Sequence, residues 1–166
     1  MRSYATGWGP RMNRRVDLPA AHAAFERAAG GTQEAFGDFF LARFLGLEIT
    51  YPGDACEVAF EAYDFLFNPQ GTLHGSVLAT ALDIAMGHLI HRHAGAGTTL
   101  EMKVQILAPV RGGRVTCRGE AMRRGGTWFL RAEARDASGQ LVAFASSTWK
   151  LLKTAKQAAS PQETSP

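Results

Sequence analysis

The sequence predicts an α+β fold in which an antiparallel sheet curls around one long apolar helix. Two observations predict it. The segment Ser76 to His93 is apolar on nearly every side rather than along one stripe, as suits a helix buried all round. On either side of it lie runs with a period of two, two before and four after, and the later ones are joined by turns short enough for antiparallel neighbours. A helix too apolar for solvent is satisfied when strands surround it.

Each element follows from local signals. Residues 17–45 read as helical, with Asp17 and Pro19 at the start and Phe25, Phe36, Phe39, Phe40, Phe44 and Leu45 as a stripe expected to face the core. Gly30-Gly31 divides this stretch into two helices. From Gly46 the period changes: Leu47 and Ile49 alternate with polar neighbours, Pro52-Gly53-Asp54 turns the chain, and Cys56, Val58 and Phe60 alternate with Glu57 and Glu61. Asn68-Pro69-Gln70-Gly71 is loop. The apolar helix should begin at His74 or Ser76 and end at Gly95. Four strands follow: Thr98 to Val110, Arg114 to Arg123, Thr127 to Asp136 and Gln140 to Leu152. In the third of these, Trp128, Leu130, Ala132 and Ala134 form the inward set. The chain thus divides into a flexible leader (1–16), a helical extension (17–45), the main domain (46–152) and a polar, disordered tail (153–166).

Composition narrows the function. Hydrophobic residues make up 46% and charged residues 20% of the 166 positions, enough for a core without disulfides or metals. Cys56 and Cys117 are far apart and read as buried free thiols of a cytoplasmic protein. The charge of +3 suits small anionic ligands, and the scattered arginines exclude a nucleic-acid partner. No apolar run approaches the ~20 residues that cross a bilayer.

Asp83 is the position that local structure explains least. It sits among Ala81, Leu82, Ile84, Ala85 and Met86, with no basic residue three or four positions away. An unpaired carboxylate there is costly, which marks it as functional. His88, His91 and His93 do not make a metal site, because His93 leaves the face shared by the other two and no carboxylate joins them.

Asn68, Gly71, His74-Gly75 and Asp83, read as N-P-Q-G-T-L-H-G-S followed by an apolar helix with an acidic residue, resemble the PaaI-like branch of hotdog-fold acyl-CoA thioesterases. Ser76 replaces the second glycine of that signature. The likeness runs over about residues 40–152 and includes the strand TTLEMKVQILAP. It implies a hotdog fold, homodimers or homotetramers, no cofactor, and hydrolysis of aryl- or medium-chain acyl-CoA. It places the catalytic candidates at Asp83, Gly75, Asn68, Thr99 and the signature residue His74, for which the alternative is a helix-start residue whose ring braces the loop.

Physical reading of the same residues agrees. Early N–H groups of a helix lack partners and sit at the positive end of its dipole, so Gly75 N–H can polarise a thioester carbonyl. Asp83 is then general base or nucleophile, Asn68 a holder of water or carbonyl, and Thr99 an orienting hydroxyl. Eight residues of helix rise about 12 Å, so Gly75 and Asp83 of one chain cannot reach one small reacting group. The aspartate must come from a second subunit.

Ser76 narrows the entrance or caps the helix. Phe65, Phe67, Leu78 and Met102 are candidates to line the acyl pocket, and Arg111, Arg114, Arg123 and Arg124 to meet CoA phosphates. Two other readings compete: a non-catalytic acyl-CoA-binding regulator, and a hotdog dehydratase or hydratase.

Overall fold

The computed structural model describes residues 16–32 and 34–152. The expected leader and tail, apart from residue 16, lie outside the described residues. Two helices, α1 (Leu18–Ala29) and α2 (Phe40–Leu45), precede strands β1 (Glu48–Thr50) and β2 (Cys56–Glu61). A 3-10 turn, Asp64–Leu66, leads to the long helix α3 (Gly75–Ala94). Strands β3 (Gly97–Ile106), β4 (Arg114–Arg123), β5 (Thr127–Arg135) and β6 (Leu141–Leu151) complete the chain. All six strands join one antiparallel sheet in the order β1-β2-β4-β5-β6-β3.

The sheet packs along one side of α3, so the helix is not buried all round as expected: Ser76 is exposed and Ala79, Thr80, Asp83, Ile84 and Gly87 are only partly buried. Leu78, Leu82, Met86, Leu89 and Ile90 are buried on the helix, against Val58 and Phe60 of β2, Val115 and Cys117 of β4, and Leu130 of β5. The inward set Trp128, Leu130, Ala132 and Ala134 is buried, and its outward neighbours alternate with it. Cys56 and Cys117 are buried free thiols, and burial pushes each up to about 12.

Helix and sheet approach most closely at Gly119. A Cβ there would stand 3.0 Å from the Ala85 carbonyl carbon and oxygen, which are helix backbone and cannot swing away. Gly119→Val should therefore overpack the core and lower stability by about 1–3 kcal/mol or more. Denaturant unfolding checks this, and an unchanged midpoint would show that α3 yields freely.

The N-terminal phenylalanines correct one expectation. Two helices form, but Phe25, Phe36 and Phe40 are exposed, while Ala24, Ala28, Ala42 and Leu45 are buried. Small side chains let α1 and α2 lie close together. The rings instead pack on one another: Phe25 meets Phe40 edge-on at 6.0 Å, and Phe44 meets Phe65 at 5.7 Å. Arg43 anchors the segment that follows α1. Its guanidinium donates to the carbonyls of Ala28, Gly31 and Asp38 and to the carboxylates of Glu34 and Asp38. Phe36 and Phe39 are thereby held over one face of α3.

Strand β3 is an edge. Among the described residues it pairs only with β6, and Leu100, Ile106 and the adjacent Leu107 are each half exposed or more. An edge of this length with apolar side chains is the kind that pairs with another chain.

Candidate active site

The segment before α3 is organised by Asn68. Its Oδ1 accepts from the backbone N–H of Gln70 (3.0 Å) and Thr72 (3.3 Å), and its Nδ2 donates to Thr72 Oγ1 (2.9 Å). This is an Asx-type turn, and Gly71, at φ 77°, takes the left-handed conformation that closes it. The carboxamide is thus engaged within its own loop.

The loop delivers His74 as the N-cap of α3. His74 Nδ1 accepts from Ser76 N–H at 3.2 Å and faces Ser76 Oγ at 2.8 Å, so the ring lies against the helix start. Ser76 is the partner of this cap, and its hydroxyl is directed to His74. Gly75 opens the helix, and its N–H meets no acceptor among the described residues. Ile106 lies beside it: a Cβ on Gly75 would meet the Ile106 side chain at 3.6 Å, an ordinary contact.

Asp83 lies two turns further along α3, half-buried. Thr99 Oγ1 donates to its Oδ1 at 2.9 Å. Burial pushes the Asp83 carboxyl above its ordinary value, and the Thr99 hydrogen bond pulls it part of the way back. Thr99 sits where β3 slips register against β6, between Thr99 and Glu101. The bulge re-aims the strand beside the helix, as bulges near functional sites do.

Asp83 opens on a cavity of about 140 Å³. Ile84, Gly87 and His88 of α3 form one wall, Gly97 and Trp149 another, and Phe36 and Phe39 a third. Trp149 fits against α3 because position 87 is glycine: a Cβ there would lie 3.0 Å from Trp149 Cη2. Tyr51 hydroxyl lies 2.9 Å from His88 Nδ1. Burial, with His91 nearby, pushes His88 below its ordinary value.

The structure brings Thr99 to Asp83, and His74 and Ser76 to Gly75. It does not bring Asp83 to Gly75 within one chain, since both lie on α3 eight residues apart, about 12 Å of rise. Leu78 is sealed in the core and cannot line a pocket. Phe65, Phe67 and Met102 are partly buried against the core, away from the cavity beside Asp83. Arg124 leans on Asp54 (3.4 Å) and over the Trp128 ring (5.4 Å), and Arg114 forks onto Glu48. Arg111 and Arg123 are exposed. His91 stacks on Phe36, and His93 approaches Asp54. The sequence reading missed His88, Trp149, Tyr51 and the approach of Phe36. A glycine inside an otherwise apolar helix was the available signal that something bulky packs at position 87.

Residues 70–143 match the thioesterase superfamily. The match begins in the Asn68 loop and takes in α3 with Asp83 and strands β3 to β5. A candidate esterase of Saccharolobus solfataricus is 36% identical over 91 residues, 53% of this chain. The alignment spans 65% of that relative's length. Among solved structures, a candidate thioesterase of Ralstonia eutropha JMP134, described as related to phenylacetic acid degradation, is 25% identical with a TM-score of 0.64, covering 77% of this chain and 99% of its own. A Bacillus halodurans protein crystallised with CoA has a TM-score of 0.70 at 20% identity, covering 82% of this chain and 91% of its own. The fold is the hotdog fold: six antiparallel strands packed on α3, with the α1–α2 extension in front. No helix among the described residues is long and apolar enough to cross a membrane.

Proposed function

We propose that this chain is an acyl-CoA thioesterase of the PaaI-like type, working as a homodimer or a homotetramer in the cytoplasm. The observation that carries the reading is the pair Asp83–Thr99: a half-buried carboxylate, raised by burial and held by one hydroxyl, beside a cavity. The superfamily match supports thioester hydrolysis, the CoA-bound neighbour supports the coenzyme, and the edge strand β3 supports the dimer.

In this reading Gly75 N–H of one subunit donates to the thioester carbonyl oxygen, and the α3 dipole stabilises the charge that develops there. Asp83 of the partner takes a proton from water, whose oxygen adds to the carbonyl carbon. The C–S bond then breaks, the CoA thiolate leaves and is protonated, and the free acid remains. Burial makes Asp83 a better base than an exposed aspartate. Thr99 orients the carboxylate. Asn68 and His74 are positioning residues, the first shaping the loop and the second capping the helix that offers Gly75. Ser76 braces His74 at the entrance, with Phe67 and Met102 outlining the approach. Arg123, exposed and unpaired by any carboxylate among the described residues, is a better candidate for the CoA phosphates than Arg124.

The test is CoA release from a panel of aryl and aliphatic acyl-CoAs by wild type and by Asp83 variants. Wild type that binds acyl-CoA but frees none would point to a binding protein, and equal rates in the variants would remove Asp83 from the mechanism. Thr99→Val tests the pairing. Loss of the hydroxyl removes what holds Asp83 down, so the acidic limb of kcat/KM should move to higher pH. An unmoved limb would mean that Asp83 is not the group titrating.

A further inference from the structure

Edge strand β3 carries two charges without ion-pair partners among the described residues. On the outer face of the sheet, β2, β4 and β5 pair their charges with one another: Arg118 with Glu57 and Glu120, Arg131 with Glu120, and Arg135 with Glu133. Glu101 and Lys103 lie on that same face. They are the register partners of Thr148 and Ser146, which in turn pair with Phe129 and Arg131 of β5. Both are exposed and make no ion pair of their own. Between them Met102 points the other way and, with Val104, packs against the core.

We propose that two copies of this chain pair antiparallel through β3 about a twofold axis at Met102, which sets Glu101 of each chain opposite Lys103 of the other. The neighbourhood of the axis follows from a site shared between subunits, and so rests on the thioesterase reading above. Gly75 stands beside Ile106, and Asp83 accepts from Thr99. Bringing Gly75 to the partner's Asp83 therefore brings Ile106 toward the partner's Thr99. Ile106 and Thr99 pair with Ala143 and Trp149 of β6, and midway between those two lies Ser146, the register partner of Lys103. The twofold thus falls at Lys103 or one residue to either side.

Face and charge then choose among these positions. Directly opposed residues of an antiparallel pair share a face, so an axis between two residues would set an inward side chain such as Met102 against an outward one such as Lys103. An axis at Lys103 sets that lysine against its own copy, and like charges directly opposed destabilise the pair. An axis at Val104 sets Lys103 against Gln105 and Glu101 against Leu107, which leaves both charges unmatched. At Met102 both are matched, and symmetry makes the match twice in each dimer. The same axis lays apolar Val104 against the partner's bulge at Thr99 and Leu100. An edge whose N–H and C=O groups are open to pairing supplies the attraction, and the two charges supply the register.

The experiment is fluorescence-detected sedimentation of the full chain and three charge variants at low salt, where exposed pairs are screened least. Glu101→Lys sets lysine against lysine, and Lys103→Glu sets glutamate against glutamate. Each should raise the dimer Kd about tenfold or more, because two attractive pairs per dimer become repulsive. The double variant Glu101→Lys/Lys103→Glu restores opposite charges and should return Kd close to that of wild type. Oxidative cross-linking gives a second reading, with Cys56 and Cys117 buried and out of the way. Glu101→Cys/Lys103→Cys should link two chains through directly opposed positions. Lys103→Cys alone should not, since its two copies lie diagonally, about 7–8 Å apart, beyond the reach of a disulfide. A monomeric wild type, single variants that dimerise like wild type, a double variant no better than the singles, or a ready disulfide from Lys103→Cys alone overturns the proposal. None of these readings needs turnover. Dimers that obey the charges but release no CoA from any thioester would sink the thioesterase reading and leave the pairing standing. CoA release by a wild type whose dimer ignores both charges would do the reverse.

Discussion

Asp83→Asn is expected to lower kcat for CoA release by about 10²–10⁴-fold, the range for removing a positioned general base, while the protein stays folded. Asparagine keeps the oxygen that accepts from Thr99 Oγ1 and nearly the same volume, so the local packing survives. Stability should even rise at neutral pH. Burial raises the folded Asp83 above its ordinary value, so the stability it confers is fully present below the unfolded pKa of about 3.9 and is lost as pH rises through the folded value. Wild type should therefore lose Tm relative to Asp83→Asn on going from about pH 4 toward neutrality. Thermal melts at several pH values, run beside the CoA-release assay, read both effects. A variant that loses activity and Tm together would mean that Asp83 is structural. One that keeps its activity would exclude Asp83 from the chemistry.

That opposition between activity and stability is also why Asp83 was visible in the sequence. A carboxylate inside an apolar helix breaks a local rule without a local compensation, and such breaks gather at functional sites. The helix and the strands were legible because α3 is a long apolar run, burial imposes a twofold period on β5, and turn residues punctuate the chain. Thr99 was legible through the resemblance, and its hydrogen bond to Asp83 is what the fold adds.

The rest depended on packing that no local pattern encodes. The phenylalanines of the extension share a spacing with core-facing stripes, yet alanines do the packing between α1 and α2, and the rings meet each other. His88 looked like part of a histidine group near a helix end. Only the placement of Tyr51, 37 residues earlier, and of Phe36 shows it to be buried beside a cavity. Trp149 reaches the same cavity because β6 runs beside β3 in a register set by the whole sheet. Asn68 reads identically in sequence whether it holds a substrate or its own loop, and the geometry engages it with Gln70 and Thr72.

Gly75→Pro should reduce kcat by about 10²–10³-fold, the usual cost of deleting one oxyanion donor, with little change in Tm. Position 75 is the first residue of α3, where proline is well tolerated because its N–H has no helical acceptor. The preceding His74 already has φ −64° and ψ 134°, the extended conformation that a following proline demands. Gly75→Ala is the control: its Cβ meets only Ile106 at ordinary distance, so the N–H survives and most of the activity should too. The same pair of residues decides where the site lies. With ~12 Å of helix between Gly75 and Asp83, a working site needs one from each subunit. Gly75→Pro and Asp83→Asn chains, each nearly inactive alone, should then complement. A mixed dimer contains one site with both groups intact and one with neither. Random reassociation makes half of the dimers mixed, so activity should return to about a quarter of wild type. No recovery, with mixed dimers demonstrated by two affinity tags, would show that the sites are not shared between subunits.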